Sequence, residues 1–434
     1  MDKDLDYHLD SVEDNFPVIY KWPKAAKIIF GTIIGIAALL LISLIIVIVY
    51  YQKKLSNNSS QDDNINSKTN QNPLANIDTY NFLGNIIYNL TYDIDGKIEN
   101  SFKLNGYNHI NGIDSINDNK DYEKNERNIY NLFIPQYAMD RMKDYNGIFL
   151  WIHGGAWISG SVDGMELLCK PTSYQGYISA TMGYTLLTSD FKEFNIYKNI
   201  DEITACIKAI KNKLINLGFN GNKLYLAIGG FSAGAHLSLL YSYLNSKMDI
   251  IPLKFVVNLA GPIGLYPKYY YKVKSKNEPL SNIEDISSIE EAVKNGTIVP
   301  LYKEGFALKL MNLFSGNKFA DSIYSMLFPN GTINYENEKY KEMFKITKNA
   351  FITETEDKHK IPTLCIYGGI DEVIGMTQFA YLKHKMDLDK RKYDFFYSRY
   401  EGHVLFLPHT PDGEKKLRTF FSKITQYSKK YFGY

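Results

Sequence analysis

From residue 79 to residue 434, short apolar runs of strand length alternate with longer stretches whose apolar positions recur at helical spacing. The pattern predicts strands at Gly147–Ile152, Lys223–Ile228, Phe255–Leu259, Pro362–Tyr367 and Tyr393–Tyr397. Helices are predicted at Ile200–Leu217, Ala233–Leu244, Met376–Met386 and Gly413–Tyr427. Two further strands, near Asn85–Tyr92 and Asn128–Pro135, are separated by the polar tract Asn108–Asn128, which reads as an insertion in a surface loop. Strands alternating with helices imply an α/β fold, a mostly parallel sheet covered by helices on both faces. In such a sheet reactive side chains collect in the loops at the carboxyl ends of the strands, which sets a test for every candidate residue.

The amino-terminal part has a different pattern. Ile28 to Tyr51 carries no charge, is flanked by Lys21, Lys24 and Lys27 before it and by Lys53 and Lys54 after it, and ends in two tyrosines. This run exceeds the ~20 residues needed to cross a bilayer and the ~15 of a signal-peptide core, and the tyrosines suit the membrane interface. It is expected to be an uncleaved single-pass transmembrane anchor, residues 1–27 forming a cytosolic tail. The three lysines before the span against two directly after it give a slight positive-inside bias, which puts the part after the span on the non-cytosolic side. Residues 52–78 turn to Asn, Ser, Gln, Asp and Lys, too polar to offset the entropy of ordering, and are read as a flexible stalk. Sequons at Asn57, Asn58, Asn89, Asn295 and Asn330 decide nothing in a chain this rich in asparagine.

Composition narrows the function classes. The 49 basic and 47 acidic residues leave a formal charge of +2, so no basic field favours nucleic acid. The cysteines Cys169, Cys206 and Cys365 form neither a C-x-x-C pair nor a ligand cluster with histidine, and read as small core residues. No metal or cofactor is implied.

Gly230-Phe231-Ser232-Ala233-Gly234 fits G-x-S-x-G, and its setting between a β-prone run and a helix is what a nucleophile elbow requires. Ser232 is the expected nucleophile. His153-Gly154-Gly155-Ala156-Trp157 directly follows the strand Gly147–Ile152, where backbone N–H groups can face the oxyanion of a tetrahedral intermediate. Gly154, Gly155 and Ala233 are the expected donors, with His153 holding the loop rather than acting as base. The acid and base should follow the serine in that order. Asp371 follows the strand Pro362–Tyr367 and His403 follows Tyr393–Tyr397; Glu372 is the alternative acid and His409 the alternative base.

These motifs resemble the α/β-hydrolase superfamily. They are most similar to its His-Gly-Gly-x-Trp esterases: the hormone-sensitive-lipase-like, isoprenylcysteine-methylesterase-like and kynurenine-formamidase-like enzymes, including feruloyl-esterase-like bacterial and fungal members. The resemblance covers about Tyr130 to Phe421 and rests on His153–Trp157, Gly230–Leu237, Asn258-Leu-Ala-Gly-Pro262, Gly368-Gly-Ile-Asp371 and Gly402-His403. Ala156 stands where lipase-type members often carry a third glycine, which points to the formamidase and methylesterase branch. Asp371, where cholinesterase-type enzymes have glutamate, points away from that group. The stretch from Gly264 to about Lys360 is long for a connection between strands and is expected to be a partly helical cap, with Tyr266, Tyr269, Tyr270 and Tyr271 at its start.

The resulting expectation is a membrane-anchored serine hydrolase acting on small carboxylic esters through an acyl-enzyme, with an α/β-hydrolase domain at 79–434. An amidase or formamidase would use the same residues. A hydrolase-fold adhesion or binding module without catalysis belongs to another class, and such modules usually lack part of the triad.

Overall fold

The computed structural model describes residues 84–91, 127–187, 194–244, 250–264, 271–273, 286–300, 304–320, 322–327, 329, 332–375, 377–398, 401–403, 405 and 411–433. The expected anchor at 28–51, the stalk at 52–78, the polar tract at 108–126 and His409 lie outside them. No helix among the described residues is long and apolar enough to cross a membrane.

An eight-stranded sheet organises the catalytic part. Its strands are β1 (Gly84–Thr91), β2 (Ile129–Pro135), β3 (Gly147–Ile152), β4 (Ile178–Met182), β5 (Tyr225–Phe231), β6 (Leu253–Leu259), β9 (Thr363–Gly368) and β10 (Tyr393–Ser398). They are ordered β1-β2-β4-β3-β5-β6-β9-β10. β2 pairs antiparallel with both β1 and β4, and every pairing from β4 to β10 is parallel. The central strands are buried throughout, as in β3 and β9, which is why they read as unbroken apolar runs rather than alternating ones. Among the helices, α1 (Gln136–Met139) is one turn, α2 is Glu166–Tyr174, α3 is Ile196–Asn216 and α4 is Ala233–Leu244. Helix α4 packs on β5 and β6 and is buried from Ala233 to Tyr243.

Large and small side chains interlock across the sheet. Trp151 in β3 faces Gly229 in β5, and a Cβ at Gly229 would meet the Trp151 ring at 2.6 Å. Behind this pair, Phe149 packs edge-on against Phe255 at 5.6 Å and against Phe432 at 5.7 Å, joining the carboxyl-terminal segment to the sheet. The three cysteines are free, buried thiols.

Several boundaries differ from the sequence expectation for local reasons. Helix α3 starts at Ile196 because Asn195 caps it, its side chain accepting from the N–H groups of Tyr197 (3.1 Å) and Lys198 (3.3 Å). Strand β5 continues through Gly229 and Gly230 because the ladders to β3 and β6 continue with it. Strand β4 and helix α2 had no counterpart in the pattern. Ser179 and Thr181 make β4 look polar although it is wholly buried, and Pro171 interrupts α2.

Between β6 and β9 lies an insertion in which the described residues form an antiparallel strand pair, β7 (Tyr271–Val273) with β8 (Ile298–Pro300), and the helices α5 (Ile286–Lys294), α6 (Glu304–Phe314), α7 (Ile323–Leu327) and α8 (Glu338–Thr347). The strand pair and α5 have a small core of their own, in which Ile289, Ala292 and Ile298 meet Ala380 of α9 (Thr377–Leu388). Helix α10 (Pro411–Ser428) follows β10, and its Tyr427 OH donates to Thr363 O of β9 at 3.2 Å.

Candidate active site

The elbow at the end of β5 has the geometry a nucleophile needs. Ser232 is held at φ 55°, in the left-handed region that a non-glycine residue occupies only under constraint. Two hydrogen bonds hold it there: its N–H donates to Leu259 O at 2.8 Å, and its carbonyl accepts from His236 N–H at 3.0 Å in the first turn of α4. A Cβ at Gly234 would collide with the carbonyl oxygens of Ile152 and His153, so β3, β5 and α4 approach this closely only with glycine there. Helix α4 opens at Ala233, whose N–H is among those that an α-helix leaves without an intrahelical acceptor.

The loop after β3 lies against this elbow. A Cβ at Gly154 would meet Phe231 O at 2.9 Å and Ser232 Cβ at 3.2 Å, which puts the expected oxyanion loop directly beside the serine. The loop turns through two successive left-handed residues, Ala156 (φ 52°) and Trp157 (φ 64°). Gly155 O closes the turn by accepting Ile158 N–H and Ser159 N–H, both at 3.0 Å.

His153 is not placed as a base. Its ring is 2% exposed, stacks on Tyr184 at 4.2 Å, and uses Nδ1 to contact Gly154 O at 2.7 Å. Burial pushes its pKa down to about 4, with Arg127 adding to the effect, so the ring is neutral and Nδ1 is the donor. His236 is likewise buried, with its pKa lowered to about 4 by burial, and its Nε2 contacts Ala350 O at 2.8 Å. That bond ties the elbow helix to the end of the insertion.

Asp371 and His403 meet, although 32 residues apart in sequence: His403 Nδ1 lies 2.8 Å from Asp371 Oδ2. The other carboxylate oxygen, Oδ1, accepts from Val373 N–H (2.7 Å) and Ile374 N–H (2.9 Å), fixing the acid. Glu372, the alternative acid, is exposed. The loop carrying His403 folds back over the end of β9, where Ile370 N–H donates to Glu401 O at 3.0 Å. A Cβ at Gly368 would collide with the carbonyls of Glu401 and Gly402, so this crossing needs the glycine. It brings the His403 ring to 4.8 Å from that of Phe231, the residue before Ser232. Asp371 is 3% exposed and the His403 side chain 16%: the acid is shielded while the imidazole is open to a substrate.

The motif Asn258-Leu-Ala-Gly holds the neighbouring turn. Asn258 Oδ1 accepts Gly261 N–H at 2.9 Å, and Asn258 Nδ2 donates to Tyr367 OH at 3.1 Å. Among the described residues no group of three or more His, Cys, Asp or Glu is arranged to hold a metal.

Sequence reasoning missed one buried cluster. Glu202 on α3 accepts Asn128 Nδ2 (2.7 Å) and Thr185 Oγ1 on one oxygen, and Thr185 N–H (2.9 Å) and Asn199 Nδ2 (3.0 Å) on the other. Burial raises its pKa against these four hydrogen bonds. A signal was available: Asn199 and Glu202 lie on the same buried stripe as Ile203, Cys206 and Ile210, where a solvated charge has no place.

The BD-FAE family model matches residues 133–300, a span that includes the loop at Gly154 and Ser232 and ends before Asp371 and His403. No curated protein matches the sequence. Among solved structures, an inhibited esterase B from Lactobacillus rhamnosis is 14% identical, with a TM-score of 0.48 over 91% of this chain and 97% of that one. Carboxyl esterase 2 from the mycorrhizal fungus Tuber melanosporum is 15% identical, with a TM-score of 0.45 over 69% and 82%. The parallel sheet with its serine elbow after β5 has the α/β-hydrolase fold, and residues 133–300 are similar to the BD-FAE family.

Proposed function

We propose that the chain is a serine esterase that cleaves small carboxylic esters through an acyl-enzyme, using Ser232, His403 and Asp371. The observation that carries this reading is the His403 Nδ1–Asp371 Oδ2 contact of 2.8 Å, made by a loop that returns to the residue before the elbow serine. His403 takes the Ser232 hydroxyl proton as Oγ attacks the ester carbonyl carbon, then returns it to the departing alkoxide. Asp371 keeps the ring in the tautomer with Nδ1 protonated and stabilises the imidazolium. Negative charge on the carbonyl oxygen meets the N–H groups of Gly154, Gly155 and Ala233, each such donor contributing about 10²–10³-fold in rate. Water, activated by the same imidazole, then releases the acid. No cofactor enters these steps.

The chain is further proposed to be held to a membrane by Ile28–Tyr51, with the stalk at 52–78 and the hydrolase on the non-cytosolic side. Support comes from the uncharged run and its flanking lysines. Protease added to intact cells, or to sealed vesicles whose non-cytosolic face is outward, should cut the stalk and release the hydrolase; release only after permeabilisation would reverse the orientation.

A fluorophosphonate probe tests the nucleophile. The folded protein should be labelled and hydrolyse short acyl esters, and Ser232→Ala should abolish both. Labelling that survives Ser232→Ala would remove the proposed nucleophile, and a protein that hydrolyses formamides faster than esters would move it to the amidase class.

A further inference from the structure

We propose that Glu202 is a positioning residue for the oxyanion loop, acting through Thr185 and Tyr184 on the backbone at Gly154 and Gly155. The inference rests on the esterase reading above and deepens it. Glu202 is itself remote from the reaction in the chain of contacts, touching neither the loop nor the elbow directly. Its carboxylate nevertheless collects four donors, two on each oxygen, the full acceptor capacity of that group. Two of the four come from Thr185, through its backbone N–H and its hydroxyl, and Asn199 Nδ2 bonds Thr185 O at 2.9 Å as well. Residue 185 is therefore held from its N–H, its carbonyl and its side chain, an unusual restraint for a position in a loop.

What the restraint serves is visible on either side of Thr185. The preceding residue, Tyr184, is fully buried, stacks its ring on His153 at 4.2 Å with 13° between planes, and donates its hydroxyl to His153 O at 3.1 Å. Two residues beyond, Leu187 N–H donates to Trp157 O at 2.8 Å. The segment 184–187 thus grips the oxyanion loop at residues 153 and 157, immediately before and two residues after Gly154–Gly155. A third hold, Arg127 Nη1 to Gly160 O at 2.6 Å, lies next to Asn128, the remaining donor to Glu202. One buried carboxylate joins the residue before β2, the segment behind the loop and helix α3.

The consequence is specific. Oxyanion donors act only when held at hydrogen-bond distance, about 2.7–3.1 Å from the developing charge, so loosening this grip should weaken binding of the transition state far more than that of the substrate. A residue that only stabilises the fold would instead lower the fraction of active protein and leave the surviving molecules unchanged.

The test uses Glu202→Gln, which replaces one acceptor oxygen with an amide donor at nearly the same volume, and Tyr184→Phe, which keeps the stack and removes the bond to His153 O. Active sites are counted by fluorophosphonate titration, so kcat refers to folded enzyme only. Both variants are expected to lower kcat about 10- to 100-fold with KM within threefold. Affinity for a trifluoromethyl ketone, whose adduct with Ser232 carries an oxyanion, should fall by the same factor as kcat. Thr185→Val, which removes one hydroxyl donor, serves if Glu202→Gln does not fold, and should give a smaller loss of the same kind. Unchanged kcat per titrated site, with only a lower Tm, overturns the positioning role while leaving the esterase reading intact. Absence of both labelling and ester hydrolysis in the folded wild-type protein overturns the esterase reading itself.

Discussion

The two flanks of Ser232 are built differently. On the β3 side the oxyanion loop is backed by buried polar groups: His153 at 2% exposure, Tyr184 at 0% and the Glu202 cluster. On the β9 side Asp371 and His403, the proposed acid and base, sit on two loops that cross above Gly368, and the neighbouring helix α9 is backed by the small core of Ile289, Ala292 and Ile298 in the insertion. There the His403 side chain remains 16% exposed. The contrast suits the proposed chemistry. Donors to an oxyanion must already be in place when charge develops, so rigidity serves them. An imidazole that exchanges protons with serine, leaving group and water needs access, so only its orienting acid is shut away.

The largest effect expected from this contrast lies on the exposed flank. Asp371→Asn should retain the Oδ1 bonds from Val373 and Ile374 yet present an amide group to His403 Nδ1, favouring the wrong tautomer. A fall in kcat of about 10⁴-fold is expected, with little change in Tm. Steady-state ester hydrolysis at pH 7 beside a thermal melt checks both, and a loss below tenfold would remove Asp371 from the orienting role.

A middle-sized effect belongs to the buried flank and shows in acid. His153 and His236 have pKa values lowered to about 4 by burial, so both are neutral in the folded protein. Between about pH 6.5 and pH 4 the unfolded chain binds protons that the folded one refuses, so stability is full above 6.5 and falls as the pH drops towards 4. Each ring accounts for about 3 kcal/mol over that window. Urea titrations at pH 7 and pH 4.5 should show the loss, and His236→Leu should make the decline shallower; an unchanged slope in that variant would contradict the burial of a neutral imidazole.

How much of this was readable in advance follows the same division. Ser232, Gly154, Asp371 and His403 stand in short motifs at predicted strand ends, where local spacing is enough, and the structure brings Gly154 beside Ser232 and His403 onto Asp371. The supports were not readable because they depend on contacts far apart in sequence. Glu202 meets Asn128 across 74 positions, and Tyr184 follows β4, a strand hidden by its buried Ser179 and Thr181. The Arg391–Asp357 pair was silent for the same reason. Its bidentate contacts of 2.6 and 2.9 Å span 34 residues, and Arg391 holds the Asp357 carboxyl below its ordinary range against the burial that raises it.

The smallest expected effect tests whether the rigid flank carries strain. Ala156 occupies φ 52°, a conformation that costs an alanine about 1 kcal/mol relative to the helical or extended regions and costs a glycine nothing. Ala156→Gly relieves that cost but also frees the unfolded chain, which offsets part of the gain. A net change in stability within about 1 kcal/mol is therefore expected, measured by urea unfolding. Activity is the sharper measure. With the loop gripped at His153 and Trp157 from the segment 184–187, kcat should stay within about twofold. If the glycine instead lowered kcat tenfold, the loop's position would depend on its own stiffness rather than on the buried groups behind it, and the difference between the two flanks would lie in the loop's backbone and not in its support.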